Sequence, residues 1–151
     1  MTPEELAALH RVAFTQDRPW SCDEFTCLLE NKFTSLIEHP QGFALVQTLA
    51  GETELLTLAV SPHHQRQGIG RSLTTQWLLQ SELFAQSAFL EVAADNTAAI
   101  ALYGQIGFKI AATRKGYYRR QGSAAVDALV MQRKLTHGKA NVSEGDVPEI
   151  G

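Results

Sequence analysis

Apolar residues in this chain recur at two periods, and the changes of period mark out the elements. Leu6, Ala7, Leu9, His10 and Ala13 follow the helical spacing, with Pro3, Glu4 and Glu5 in what would be the first turn. Arg18-Pro19-Trp20-Ser21 interrupts that pattern. Ser21 then offers a cap for a second helix, with Glu24 three residues on as its capping-box partner and Phe25, Leu28 and Leu29 on the buried side. From there the spacing becomes that of strands, over 33–38, 43–49 and 54–60, divided by the turns Pro40-Gln41-Gly42 and Ala50-Gly51-Glu52. Three strands so close in sequence predict an antiparallel meander. A polar loop over 61–67 and Gly68-Ile69-Gly70 lead into a helix with Leu73, Trp77 and Phe84 expected in the core. A strand over 89–93 follows, and then a helix over 97–106, capped by Asp95 or Asn96 and stopped by Gly107. Strands over 108–114 and 125–133 close the pattern. The order predicts one mixed α/β (α+β) domain with a meander, a βαβα segment and a C-terminal strand pair.

Composition narrows the classes. The 151 residues suit one domain, and 44% hydrophobic with 19% charged residues suits a packed one. The folded part is expected over 1–135. The polar stretch 136–151 is expected to be a loose tail. Thirteen basic against sixteen acidic residues give a net charge of −3, which argues against a strongly basic nucleic-acid binder. No apolar run is long enough for a transmembrane helix, and the start MTPEELAALH lacks a basic leader, so neither a membrane nor a signal peptide is expected. Cys22 and Cys27 have no zinc spacing and are expected to be reduced thiols in the cytoplasm. His63 and His64 are adjacent in a polar loop without partner spacing, so no metal site is expected.

The segment richest in chemistry is Gln65-Arg66-Gln67-Gly68-Ile69-Gly70-Arg71, between a strand and a helix. Turn and helix N-terminal N–H groups attract anions, glycines let a phosphate approach the backbone, and Arg66 and Arg71 add forked donors. A pyrophosphate suits such a loop. The segment lacks the Lys of an ATP-type P-loop, and position 73 is Leu rather than the third glycine of a dinucleotide loop. A tight turn alone would also explain both glycines.

In context the segment resembles the acetyl-CoA motif of the GNAT N-acetyltransferases: Gln or Arg, two residues, Gly, one residue, then Gly or Ala. Downstream, Asn96-Thr97-Ala98-Ala99-Ile100-Ala101-Leu102-Tyr103 and Gly107-Phe108 resemble that family's second signature. Together the two cover about residues 54–110. Pro19-Trp20-Ser21, Leu90-Glu91-Val92, Gly116-Tyr117-Tyr118 and Asp127-Ala128-Leu129-Val130-Met131 extend the likeness to its RimI-type members, the alanine N-acetyltransferases of a small-subunit ribosomal protein. Members usually place a strand before the first helix, whereas this chain opens almost directly on Pro3, which leaves one sheet edge and the choice between a monomer and a weak homodimer open.

The resemblance implies acetyl-CoA as donor and an amine as acceptor. The amine must lose its proton, the oxyanion needs fixed N–H donors, and the CoA thiolate must be reprotonated. Glu91 is the candidate base. An acid amid an apolar strand is costly unless it is solvated in a cleft or paired, and a structural pair with Arg or His is the other reading. Tyr103 is the candidate acid, set against a core tyrosine packing with Ala99 and Ile106. Asn96 can cap its helix. The resemblance adds a contact to the pantetheine arm, and gives Leu58, Ala59 and Val60 backbone contacts to the same arm at a bulged, splayed strand. Arg66, Gln67, Gly68, Ile69, Gly70 and Arg71 would hold the pyrophosphate. Tyr117 and Tyr118, beside Arg119 and Arg120, are expected near the acceptor, and Trp20 either lines that cleft or packs. The function expected is direct acetylation of a protein N-terminal α-amine. A lysine, polyamine or other small amine as acceptor, and a non-catalytic acetyl-CoA-binding module, are the alternatives.

Overall fold

The structure is a computed structural model and describes residues 1–14, 18–120 and 122–135. The expected tail, 136–151, lies outside the described residues. The order of elements is α1 (Pro3–Ala13), α2 (Cys22–Leu29), β1 (Thr34–His39), β2 (Gly42–Leu49), β3 (Glu52–Val60), a 3-10 turn (Pro62–His64), α3 (Ile69–Ser81), β4 (Ser87–Ala93), α4 (Thr97–Gln105), β5 (Lys109–Tyr118) and β6 (Val126–Lys134).

Both N-terminal helices begin with a complete capping box, Thr2 with Glu5 and Ser21 with Glu24. The second is reinforced, because Arg18 forks onto Glu24 at 2.8 and 2.9 Å and holds its carboxyl down at about 2. The six strands form one sheet in the order β1-β2-β3-β4-β6-β5. Only β3 and β4 run parallel, joined by the α3 crossover; every other pair is antiparallel. The meander and the closing strand pair are as the alternation implied. No strand precedes α1 among the described residues, and the sheet's edges are β1 and β5. β5 is exposed along nearly its whole length, and its two register shifts and its Lys109, Arg114 and Lys115 make it a poor template for a further strand.

Each face of the sheet has its own core. On one face α3 and α4 cover Val46, Leu55, Leu90 and Met131, with Trp77 fully buried at the centre. Its indole N–H donates to Thr53 Oγ1 at 2.8 Å, so burying this large ring leaves no donor unpaired. On the other face α1 and α2 cover Phe43, Leu45 and Ala59 with Leu6 and Phe25. Phe84 is a correction. It is 72% exposed, because α3 ends at Ser81 and the helical spacing that pointed Phe84 inward stops with the helix.

Candidate active site

The site is built on a split in the sheet. β3 and β4 pair only from Glu52↔Ser87 to Leu55↔Leu90. Beyond that point β3 stays paired with β2 as far as Val60↔Gly42, so its other edge faces β4 with no strand against it. The split starts at a bulge. Leu45 pairs with Thr57 and Val46 with Leu55, which leaves Leu56 as the extra residue. A bulge raises local twist and bends its strand, and here it turns β3 away from β4. The gap forms a slot of about 430 Å3. Leu58, Ala59 and Val60 wall it on one side, and Ala93, Asp95 and Asn96 on the other, with Phe14 and Arg120 also lining it.

The glycine loop opens beside this slot. Arg66 has φ +65° and Gly68, the N-cap of α3, has φ +84°. Gly68 offers no side-chain cap, and the first turn of α3 holds no acid. Ser72 N–H is the first donor used by the helix, bonding Gly68 C=O at 2.9 Å, so the N–H groups of Ile69, Gly70 and Arg71 have no intrahelical acceptor. Unused backbone donors of this kind suit an anion. The two glycines differ. A Cβ on Gly68 would meet open space, and it is the positive φ that calls for glycine there. A Cβ on Gly70 would meet Leu102 at 3.6 Å and Leu58 at 3.9 Å, ordinary contact distances, so the packing there does not by itself require glycine. Arg71 is bonded to Gln105 on α4, while Arg66 and Gln67 are exposed. Gln65 ties the loop to β3 by donating to Val60 C=O at 3.1 Å.

Glu91 is the first β4 residue past the last β3–β4 pair. Its neighbours Leu90 and Val92 enter the α3 core, so Glu91 points to the α1 face. It is 24% exposed and paired with Arg114 Nε at 3.2 Å. It lies in a second cleft of about 390 Å3 with Glu54 and Arg114, not among the residues walling the slot. Burial pushes the Glu54 carboxyl up, and Glu91 adds to the shift. Ala93, two residues on along the same face of β4, lies in the slot, a step of roughly 7 Å. The cleft lies over the paired part of β3 and β4 and the slot over their split, with Glu91 in the one and Ala93 in the other. The arginine pairing weighed for Glu91 is present. The partner, Arg114, also lies over the Tyr117 ring at 5.2 Å, and Tyr117 meets Tyr118 edge to face.

Tyr103 is in the core, its ring edge-on to Phe108 at 6.0 Å. Burial pushes its phenol up to about 12, so it holds its proton throughout the neutral range. It does not wall the slot. Asn96 does, while its side-chain oxygen caps α4 by accepting from Ala99 N–H at 3.2 Å. Trp20 packs on His10 and Phe25.

Three polar groups near the site were not singled out by the sequence reasoning: Arg114, His10 in its buried role, and Asp95 as the partner of Arg120. His10 is fully buried on α1. Its Nδ1 accepts from Trp20 N–H at 3.1 Å, so its Nε2–H donates to Thr57 Oγ1 at 3.0 Å. Phe14 stacks on the ring at 3.9 Å, and burial pushes its pKa down to about 4. The α-helical spacing from Leu6 to His10 is the one signal that pointed inward. Cys22 and Cys27 are free thiols, and among the described residues no three His, Cys, Asp or Glu gather as a metal set. Among the described residues no helix is long and apolar enough to cross a membrane.

The family model of the acetyltransferase (GNAT) family matches residues 3–108. The chain belongs to the GNAT acetyltransferase family. As a GNAT protein it is an acetyl-transferring enzyme. The chain is similar to the ribosomal protein bS18-alanine N-acetyltransferase of Escherichia coli, 34% identical over 130 residues, covering 83% of this chain and 87% of that protein. The crystal structure of the E. coli enzyme superposes with a TM-score of 0.80 at 29% identity, covering 88% of this chain and 87% of that one. The N-alpha-acetyltransferase RimI of Mycobacterium tuberculosis is 33% identical over 141 residues, covering 86% of this chain and 85% of that protein. Arabidopsis thaliana NAA60 in complex with acetyl-CoA shares the fold, with a TM-score of 0.76 at 18% identity over 89% of this chain and 93% of that one.

Proposed function

We propose that this GNAT enzyme works in the cytoplasm and acetylates the N-terminal α-amine of a protein, the substrate being a small-subunit ribosomal protein that begins with alanine. The observation that carries this reading is the placement of Glu91 at the base of the split, on the same face of β4 as the slot-lining Ala93 two residues on. The 34% identity to an enzyme named for the alanine of bS18 supports the choice of acceptor.

Acetyl-CoA supplies the acetyl thioester. The backbone donors of Ile69, Gly70 and Arg71, which the helix leaves unused, suit its pyrophosphate, with Arg66, Gln67 and Gly68 shaping the loop. The free edge of β3 at Leu58, Ala59 and Val60 suits the amide-bearing pantetheine arm, with the Asn96 side chain facing it across the slot. Those β3 N–H groups also polarise the thioester carbonyl, where negative charge develops. Glu91 accepts the proton of the incoming amine, through a water that spans the distance to the slot. A ternary complex suffices, so the acetyl group passes directly from sulfur to nitrogen as the C–S bond breaks and the C–N bond forms. Tyr103, which burial keeps protonated through the neutral range, gives its proton to the departing thiolate and regains one from water, a step that requires its ring to reach the slot it does not wall in this structure. Glu91, having taken the amine's proton, returns it to water.

The test is thiol release from acetyl-CoA with a peptide bearing a free N-terminal Ala-Arg, beside the same peptide already acetylated and a peptide whose only amine is lysine. Turnover with the free α-amine alone is expected. Turnover with the lysine peptide alone moves the acceptor to a side chain and overturns the proposal.

A further inference from the structure

The bulge of β3 turns a hydroxyl into an apolar core. Leu55 packs in the α3 core, Leu56 is the extra residue and packs in the α1 core, and Leu58 is back against α3. Alternation from Leu58 therefore sets Thr57 beside Ala59 on the α1 face, paired across the strands with Leu45. Thr57 is buried there, in the core that Leu6, Phe25 and Phe43 fill. A hydroxyl in such surroundings is costly unless it is bonded. Its partner is the Nε2–H of His10, 3.0 Å away and itself fully buried. Nδ1 of the same ring accepts from Trp20 N–H, so both ring nitrogens are occupied. The chemistry described above uses neither. Phe14, stacked on the ring at 3.9 Å, lines the slot together with Leu58, Ala59 and Val60. His10 thus touches the making of the slot twice, at the strand residue beside the bulge and at an aromatic wall.

We propose that His10 is a positioning residue for the acetyl donor: its bond to Thr57 locks the bulge in register and so keeps the edge of β3 at Leu58, Ala59 and Val60 turned away from β4. A slip of one residue would carry Thr57 to the α3 face and Leu58 to the α1 face. Apolar side chains tolerate either face, whereas a buried hydrogen-bonded pair is satisfied in only one register. The inference rests on the slot taking the pantetheine arm, as proposed above.

The test compares wild type with Thr57→Val, which loses the hydroxyl, Thr57→Ser, which keeps it, and the double variant of His10→Phe with Thr57→Val, which makes both partners apolar. Acetyl-CoA affinity is read by calorimetry and stability by urea unfolding. When the register is held less firmly, only a fraction of the molecules present the open edge, and the apparent Kd rises by the inverse of that fraction. Thr57→Val is expected to raise the acetyl-CoA Kd roughly fivefold or more, and Thr57→Ser to stay within about twofold of wild type. Removing both partners of a buried bond costs little stability, so the double variant should regain the stability that Thr57→Val loses and still bind acetyl-CoA weakly. An unchanged Kd in Thr57→Val, or an affinity that returns with stability in the double variant, overturns the lock. If Thr57→Val does not fold, the double variant carries the affinity measurement. Amide hydrogen exchange over residues 55–58, read without acetyl-CoA, separates the lock from the choice of ligand. Faster exchange in Thr57→Val is expected and unchanged exchange overturns the lock, even if the wild-type slot proves not to take acetyl-CoA.

Discussion

Two regions around the split are built in different ways. The region proposed for the donor is backbone: a strand edge left open by a bulge, and helix N–H groups presented by a loop with two residues at positive φ. The region around Glu91 and the end of β5 rests on side chains brought together from distant parts of the chain. Arg114 joins β5 to Glu91, and Arg120 joins the end of β5 to Asp95. His10, joining α1 to Trp20 and Thr57, is a side-chain tie beneath the backbone region. A backbone site needs only that the chain follow the right path, which a short run of residues in order can specify. A side-chain site needs partners whose positions depend on the whole fold.

The sharpest test of that division is Glu91, which stands where the two regions meet. Glu91→Gln should keep acetyl-CoA affinity, measured by calorimetry, and lose kcat by about a hundredfold or more, the usual scale of a general base. A variant with wild-type kcat would leave the Arg114 pair as Glu91's sole role. His10 tests one side-chain tie by itself. It titrates near 4 when folded against 6.5 when free, so protonation favours the unfolded chain. Its contribution is complete above pH 6.5 and is lost as pH falls from there through 4, by about 3 kcal/mol in all. Urea unfolding at pH 7 and at pH 4.5 should show much of that loss, and His10→Gln should have a shallower slope. Gly68→Ala tests the region proposed for the donor, because a side chain at φ +84° is strained by about 1–2 kcal/mol. Acetyl-CoA binding should weaken with it, while the peptide KM holds. The smallest effect belongs to Gly70→Ala, whose new methyl meets only ordinary contacts at 3.6 and 3.9 Å. Gain in helix propensity should leave stability unchanged or raise it by up to about 1 kcal/mol, read from the thermal midpoint.

The same division explains what could be read in advance. Strand alternation gave β1 to β3 to within two residues, since a meander needs only local turns. Ser21 with Glu24 gave the start of α2, because a capping box spans three residues. The glycine loop and Asn96 were legible for the same reason. Phe84 was not, because a helical period says nothing about where the helix stops. The Arg120–Asp95 and Arg114–Glu91 pairs were hidden because each spans more than twenty residues, and nothing beside an arginine in the sequence tells which acid it will meet. Tyr103 shows the limit from the other side: its position on α4 was foreseen, and its burial in the core is one of the two roles its spacing allowed.

The open edge of β3 also bears on how this protein can change over time. Main-chain N–H and C=O groups are the same whatever side chain they carry, so substitutions along 58–60 alter the walls of the slot without deleting its hydrogen-bonding rungs. Proline, which lacks the N–H, is the exception. On the proposed assignment, the half that holds the cofactor is thus insulated from drift, and the half that holds the amine, resting on individual charges, is free to be retuned one residue at a time. Because the open edge lies inside the sheet rather than at its border, it also offers little purchase to a strand from another molecule.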